Sequence, residues 1–135
     1  MKHKPESVAS NRQNKEMNLE IKIAKILHKI GISPNIRGYY YMSEAIMMVV
    51  NDSDVINYVT EKIYGAIARR YNAAPSSVER AMRHAIEGAW KRGNIKVMDS
   101  FFGYSISARK GRPTVSQFIA SIANRISLEL RAFPK

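Results

Sequence analysis

The chain of 135 residues has no cysteine. This excludes disulfides, thiol nucleophiles and thiolate zinc sites, and it fits a reducing cytoplasm. Histidine is scarce: His3, His28 and His84 lie far apart, and no His-x-Glu or His-x-x-x-His spacing joins them. A metal centre is therefore not expected. No Gly-rich phosphate loop occurs, since Gly111-Arg-Pro113 lacks Walker spacing. No carboxylate pair presents itself for acid–base work, so neither an enzyme nor a cofactor is expected. No apolar run approaches the ~18 residues of a membrane span. The start, Met1-Lys-His-Lys-Pro-Glu-Ser7, lacks the apolar stretch of a signal peptide. Acidic residues are also few, 11 against 22 Lys plus Arg, for a net charge of +11. Such an excess in a small chain points to a polyanion, most often nucleic acid, with a merely solvated basic surface as the bland alternative. No RNA-recognition motif is present.

What the chain does have is helical periodicity. Residues 1–17 are polar and read as a disordered tail or linker remnant, leaving 18–135 as one helical domain. Leu19, Ile23, Ile26, Leu27 and Ile30 predict a helix over 18–30, stopped by Gly31 and Pro34. Arg37 to Val50 is apolar on so much of its circumference, through Tyr41, Ala45, Ile46, Met47, Met48 and Val49, that it predicts a central helix. Of Tyr39-Tyr-Tyr41, a mixture of core and surface positions is expected. Asn51-Asp-Ser53 ends that helix and caps one over about 53–62, followed by another over about 61–71.

After Ala73-Ala-Pro75, a helix is expected over about 76–92, with Ser76 or Ser77 as its cap. Val78, Met82, Ala85, Ile86 and Ala89 form its apolar face, while Glu79, Arg80, Arg83 and Glu87 fall largely off it. Helix, short turn, helix with polar side chains near the start of the second is a helix-turn-helix arrangement. Periodicity alone leaves an ordinary helical hairpin equally open. Ile95 to Phe102 reads as a short apolar helix, 103–107 as irregular, and Ala108-Arg-Lys-Gly-Arg-Pro113 as a basic loop. Thr114 can cap a last helix over about 115–131, whose stripe of Val115, Phe118, Ile119, Ile122, Ala123, Ile126 and Leu130 suits the core or a second subunit. The fold class is all-α, with about six helices and no competing strand pattern.

Several strings occur together and in order: Arg37-Gly-Tyr-Tyr-Tyr41, Glu44-Ala-Ile46, Val50-Asn-Asp52, Ser77-Val-Glu-Arg-Ala81, Arg83-His-Ala-Ile-Glu87, Ala89-Trp-Lys-Arg-Gly-Asn-Ile95, Phe102-Gly-Tyr104, Pro113-Thr114 and Phe118-Ile-Ala120. Over about 18–131 the chain thereby resembles the C-terminal DNA-binding effector domains of the stage 0 sporulation protein A family of response regulators. The resemblance implies a six-helix fold, cytoplasmic location, and activation or repression of sporulation genes from short DNA boxes, often in tandem. It implies that Glu79, Arg80 and Arg83 meet base edges; an Arg fork suits guanine O6 and N7, and a Glu accepts from cytosine N4. Ser76, Ser77 and His84 are implied as backbone or flanking contacts. The segment from Gly93 through Val97 and Phe102 resembles a surface for the sigma subunit of RNA polymerase. The last helix resembles the element through which neighbouring domains self-associate on DNA.

Departures are Lys91, where the family often has a small residue or Ser, the apolar character of Ile95-Lys-Val-Met-Asp-Ser100, and a strongly basic loop. Arg109, Lys110 and Arg112 of that loop are expected to add backbone contacts. The receiver domain of two-component regulators does not precede this domain in the sequence. An excised fragment and a stand-alone relative stay open. A receiver-less relative could serve instead as a protein-interaction module that modulates a full-length regulator.

Overall fold

The computed structural model describes residues 4–93, 95–103 and 111–132. Six α-helices occur among them: α1 (Lys4–Ile30), α2 (Arg37–Asn51), α3 (Gly65–Arg70), α4 (Pro75–Arg92), α5 (Ile95–Phe102) and α6 (Val115–Ala132). No strand occurs among the described residues.

The helix α1 starts at Lys4, where the sequence predicted a polar tail over 1–17. Residues 13–18 are exposed, so this length of α1 stands clear of the core. Its Gln, Lys, Glu and Arg residues are good helix formers, and extending a helix from a packed turn costs less than nucleating one. The packed half matches the apolar spacing: Ile23, Ile26, Leu27 and Ile30 are buried. Gly31 ends α1 at φ +105°, a backbone that L side chains rarely adopt. Its N–H donates to the His28 carbonyl at 3.0 Å, and the Ile32 N–H donates to the Leu27 carbonyl at 2.9 Å. These are the paired bonds of a Schellman cap, and Ile32 and Leu27 make its buried apolar pair.

As expected, α2 is central and packs against α1, α3, α4 and α6. The tyrosine run divides as predicted, with Tyr41 buried at 4 % exposure and Tyr40 at 50 %. Gly38 explains how closely α2 approaches α4. A Cβ there would strike the Ala81 carbonyl oxygen and lie 2.9 Å from the Ala85 Cβ. Only a residue without a side chain lets the two backbones cross at that distance.

From Ser53 to Arg70 the chain forms three successive short helical segments, broken at Tyr58 (φ −132°, ψ 50°), where two helices meeting near residue 61 were predicted. A 3₁₀ segment (Ser53–Tyr58) passes into a π-type turn (Val59–Tyr64) and then into α3. Asp52 caps the start, as expected, by accepting from the Asp54 N–H at 3.2 Å. Periodicity reports a regular helix well, but these changes of winding shift the register that it assumes.

The C-terminal third closes the core. Thr114 caps α6 as predicted: its Oγ1 accepts from the Gln117 N–H at 3.1 Å, and Gln117 Oε1 accepts from the Thr114 N–H at 3.0 Å. This reciprocal pair is a capping box. The α6 residues from Val115 to Ile126 bury the expected stripe, but Leu130 lies beyond it at 48 % exposure. The short α5 docks through Phe102, whose ring centroid lies 5.4 Å from Trp90 and 5.3 Å from Phe118. Arg125 of α6 lies over the Phe101 ring and donates to the Ser100 carbonyl at 2.7 Å, tying α5 to α6.

Candidate nucleic-acid interface

The helix α4 has two unlike faces. Val78, Met82, Ala85, Ile86 and Ala89 are all buried, as their spacing predicted. Ser76, Ser77, Arg80, His84 and Lys91 are exposed on the other side. α3 and α4 are joined by Tyr71 to Ala74, which completes a helix-turn-helix. Asn72 takes φ +54°, and the Ala73 N–H donates to the Ala68 carbonyl at 2.8 Å. The chain thus turns within four residues, and Asn is among the few non-glycine residues that tolerate this backbone.

Ser76 and Ser77 do not cap α4. Ala74 is the N-cap and makes no side-chain bond, while its carbonyl accepts from the Ser77 and Val78 N–H groups. Pro75 takes the first helical position, where its fixed φ suits the helix and its missing N–H costs nothing. The cap therefore lies before the serines, leaving their hydroxyls exposed beside the helix start.

Three contacts position α4. Near its start, Glu44 of α2 accepts from Arg70 at 3.0 Å and from the Tyr71 hydroxyl at 3.1 Å. Tyr71 also stacks edge-on against Tyr41, with centroids 5.2 Å apart. Burial raises the Tyr71 phenol pKa, and the Glu44 charge pushes it the same way. In its middle, α4 rests on Gly38. At its end, the Arg92 guanidinium donates to the Gly31 carbonyl at 2.6 Å, fastening α4 to the cap of α1. Sequence reasoning singled out none of these as site residues, because each is defined by a partner remote in sequence.

The expected base-reading residues are not equivalent. Arg80 is exposed and has no ion pair among the described residues. Arg83 is half-buried: its Nε lies 3.2 Å from Glu79 Oε2 and its Nη1 3.9 Å from Glu87 Oε2. The same Glu87 oxygen is 2.9 Å from Nη2 of Arg112, which leads into α6. Glu79, Arg83, Glu87 and Arg112 thus form a chain of alternating charge along one flank of α4. Behind it, burial chiefly, with the Glu79 charge, pushes the Tyr64 phenol up to about 12.

On the opposite flank, Arg37, Tyr40, Tyr41, Tyr71, Asn72 and Ala73 line a hollow of about 350 Å³. Arg109 and Lys110, predicted backbone contacts, lie outside the described residues. Gly93 is exposed, Val97 is half-buried and Phe102 is buried, so the Phe102 ring supports the α5 surface from beneath. No group of three or more His, Cys, Asp or Glu that could hold a metal occurs among the described residues. No described helix is long and apolar enough to cross a membrane.

A strong positive charge, and exposed Arg, His and Ser on the second helix of a helix-turn-helix, are what a DNA-binding domain presents to its polyanion. The chain belongs to the family described as sporulation initiation factor Spo0A C terminal, whose profile matches residues 23–126. That family consists of DNA-binding regulatory domains of sporulation, so the helix-turn-helix reading replaces the ordinary helical hairpin.

Proposed function

We propose that the chain is a sequence-specific regulator of sporulation-type genes that inserts α4 into the DNA major groove. The observation that supports this best is the division of α4: an inner face buried on α2, and an outer face whose polar residues include the exposed Arg80. In this reading Arg80 and Arg83 address base edges, and Glu79 both orients Arg83 and faces the bases. Ser76, Ser77 and His84 meet the sugar–phosphate backbone from α4, and Arg109, Lys110 and Arg112 meet it from the loop before α6. The DNA-binding unit spans 18–135, with the segment before it acting as a connector, and the protein works in the cytoplasm beside the chromosome.

The α5 surface, with Gly93 and Val97 at its edge and Phe102 beneath, is proposed to meet the sigma subunit of RNA polymerase. Self-association on tandem boxes uses the end of α6, where Leu128 and Leu130 are 52 % and 48 % exposed. The same two residues favour a second reading, a module that pairs with a full-length regulator without DNA. Co-sedimentation with such a regulator in the absence of DNA supports that reading; a monomer that ignores it removes it.

The primary test is a competitive titration on duplex carrying tandem family boxes, against scrambled duplex, at two salt concentrations. Preference for the boxes at physiological salt is expected. Equal, steeply salt-dependent binding to both duplexes would contradict sequence reading, because backbone contacts alone behave that way.

A further inference from the structure

The Glu87 carboxylate sits between Arg83 and Arg112, both DNA contacts in the reading above, on which this inference rests, yet it carries the wrong charge for a polyanion. It lies two turns beyond Arg80 along α4, and one of its oxygens is shared by Arg112 at 2.9 Å and Arg83 at 3.9 Å. The Arg112 partner comes from another element, so the contact is tertiary and not a by-product of helical spacing. All these side chains are partly exposed, so the pair can exchange with phosphate.

We propose that Glu87 is a positioning residue that sets the ratio of specific to non-specific DNA binding. It does so by keeping Arg112, and secondarily Arg83, from pairing with phosphates of unmatched DNA. An unrestrained Arg beside α4 would pair with the phosphates of any duplex, and each such contact raises affinity without regard to sequence. With Arg112 held by Glu87, a phosphate contact first requires breaking a charge-assisted hydrogen bond. The carboxylate also repels any phosphate that approaches the helix face. On unmatched DNA, where phosphates are the main contacts, both effects weaken binding. On a matched box α4 sits deep in the groove and base edges supply much of the binding, so the same carboxylate weakens binding less. Selectivity here comes partly from a built-in penalty against wrong partners.

The test is Glu87→Gln, which keeps the size and polarity of the side chain but removes its charge. It is measured in the whole chain beside Arg112→Gln and the double variant, on box and scrambled duplexes across a salt series. For Glu87→Gln, affinity for scrambled duplex is expected to rise about three- to tenfold, with a salt slope steeper by about one unit. Affinity for the box should rise less, so the ratio falls. In the Arg112→Gln background the Glu87 substitution should steepen the slope much less, which separates action through Arg112 from mere loss of a negative charge. Thermal melts identify any variant that is not folded. Arg112→Gln alters the same pair from the loop side, so it keeps the test decisive if Glu87→Gln does not fold. Arg112→Gln alone is then expected to weaken binding to the box more than binding to scrambled duplex, because Glu87 holds the guanidinium away from the phosphates of unmatched DNA; an equal loss on both duplexes would overturn the inference. An unchanged ratio in Glu87→Gln, or an equally steepened slope in the double variant, overturns the inference while leaving the parent reading intact. A wild-type protein with no box preference overturns both.

Discussion

The two flanks of α4 are held in opposite ways. On one, Gly38 brings the backbone of α2 against Ala81 and Ala85, a steric contact that salt cannot screen. On the other, Glu79, Arg83, Glu87 and Arg112 alternate in charge and are partly exposed, so that flank answers to ionic strength and to a competing polyanion. The first flank sets where α4 stands; the second sets what charge it presents. The proposed role of α4 in reading DNA needs both, and separate residues supply them.

The largest effect is expected from the steric flank. Gly38→Val would force α2 and α4 apart, costing about 3 kcal/mol or more of stability by overpacking. Its thermal melting temperature should fall well below wild type, and box binding should fall with it. A melting temperature near wild type would show that the crossing tolerates side chains and would dissolve the contrast between the flanks.

Next comes Tyr64, behind the ionic flank. Its folded pKa, about 12, lies above the unfolded value near 10, so folding favours the neutral phenol. Its contribution is intact below pH 10 and is lost as pH rises from there toward the folded pKa. The loss is on the order of 2 kcal/mol. Denaturant titrations between pH 9 and 12 should show a flatter decline for Tyr64→Phe than for wild type. Parallel curves would mean that the phenol is not shielded in the fold.

On the ionic flank itself, Arg112→Gln should change stability by less than about 1 kcal/mol, since exposed pairs contribute little. A destabilisation as large as that of Gly38→Val would make the ionic flank structural and erase the distinction. The smallest effect belongs to a pair remote from α4. Lys22 of α1 lies 2.8 Å from Glu129 of α6, and its hydrogen bond, with a contribution from Arg125, lowers the Glu129 pKa. A lowered folded pKa adds stability above the ordinary carboxylate range and loses it as pH falls through the folded value. Lys22→Gln should therefore reduce stability slightly at neutral pH, converge with wild type in acid, and leave affinity for a single box unchanged. Reduced affinity for a single box would extend the DNA-reading surface beyond the two flanks.

The same contrast marks what the sequence made legible. The buried face of α4, the Gly31 stop and the Thr114 cap all depend on neighbours within about a turn, and local chemistry specifies them. The serine cap failed because Pro75 takes the first helical position and moves the cap back to Ala74. Polar composition at 1–17 suggests a disordered tail or linker remnant, whereas the residues from Lys4 extend a helix seeded further on. Gly38 was visible within Arg37-Gly-Tyr-Tyr-Tyr41, but its reason is the backbone of Ala81, which only the fold brings near. Glu87 was seen as a polar position on α4; its pairing with Arg112 spans 25 residues through the loop before α6. Periodicity thus identified the helix and its inner face, while the contacts that aim it and balance its charge required the tertiary structure.

The most direct test of α4 as the reading element is a scan of every base pair of the box, comparing wild type with Arg80→Ala. Arg80 is exposed and unpaired among the described residues, so its removal should leave the fold intact. The expected result is a loss of about 1–3 kcal/mol on the native box, with preference relaxed at one base pair and kept at the others. A uniform loss across all sequences, scrambled duplex included, would contradict the assignment and make Arg80 a backbone contact.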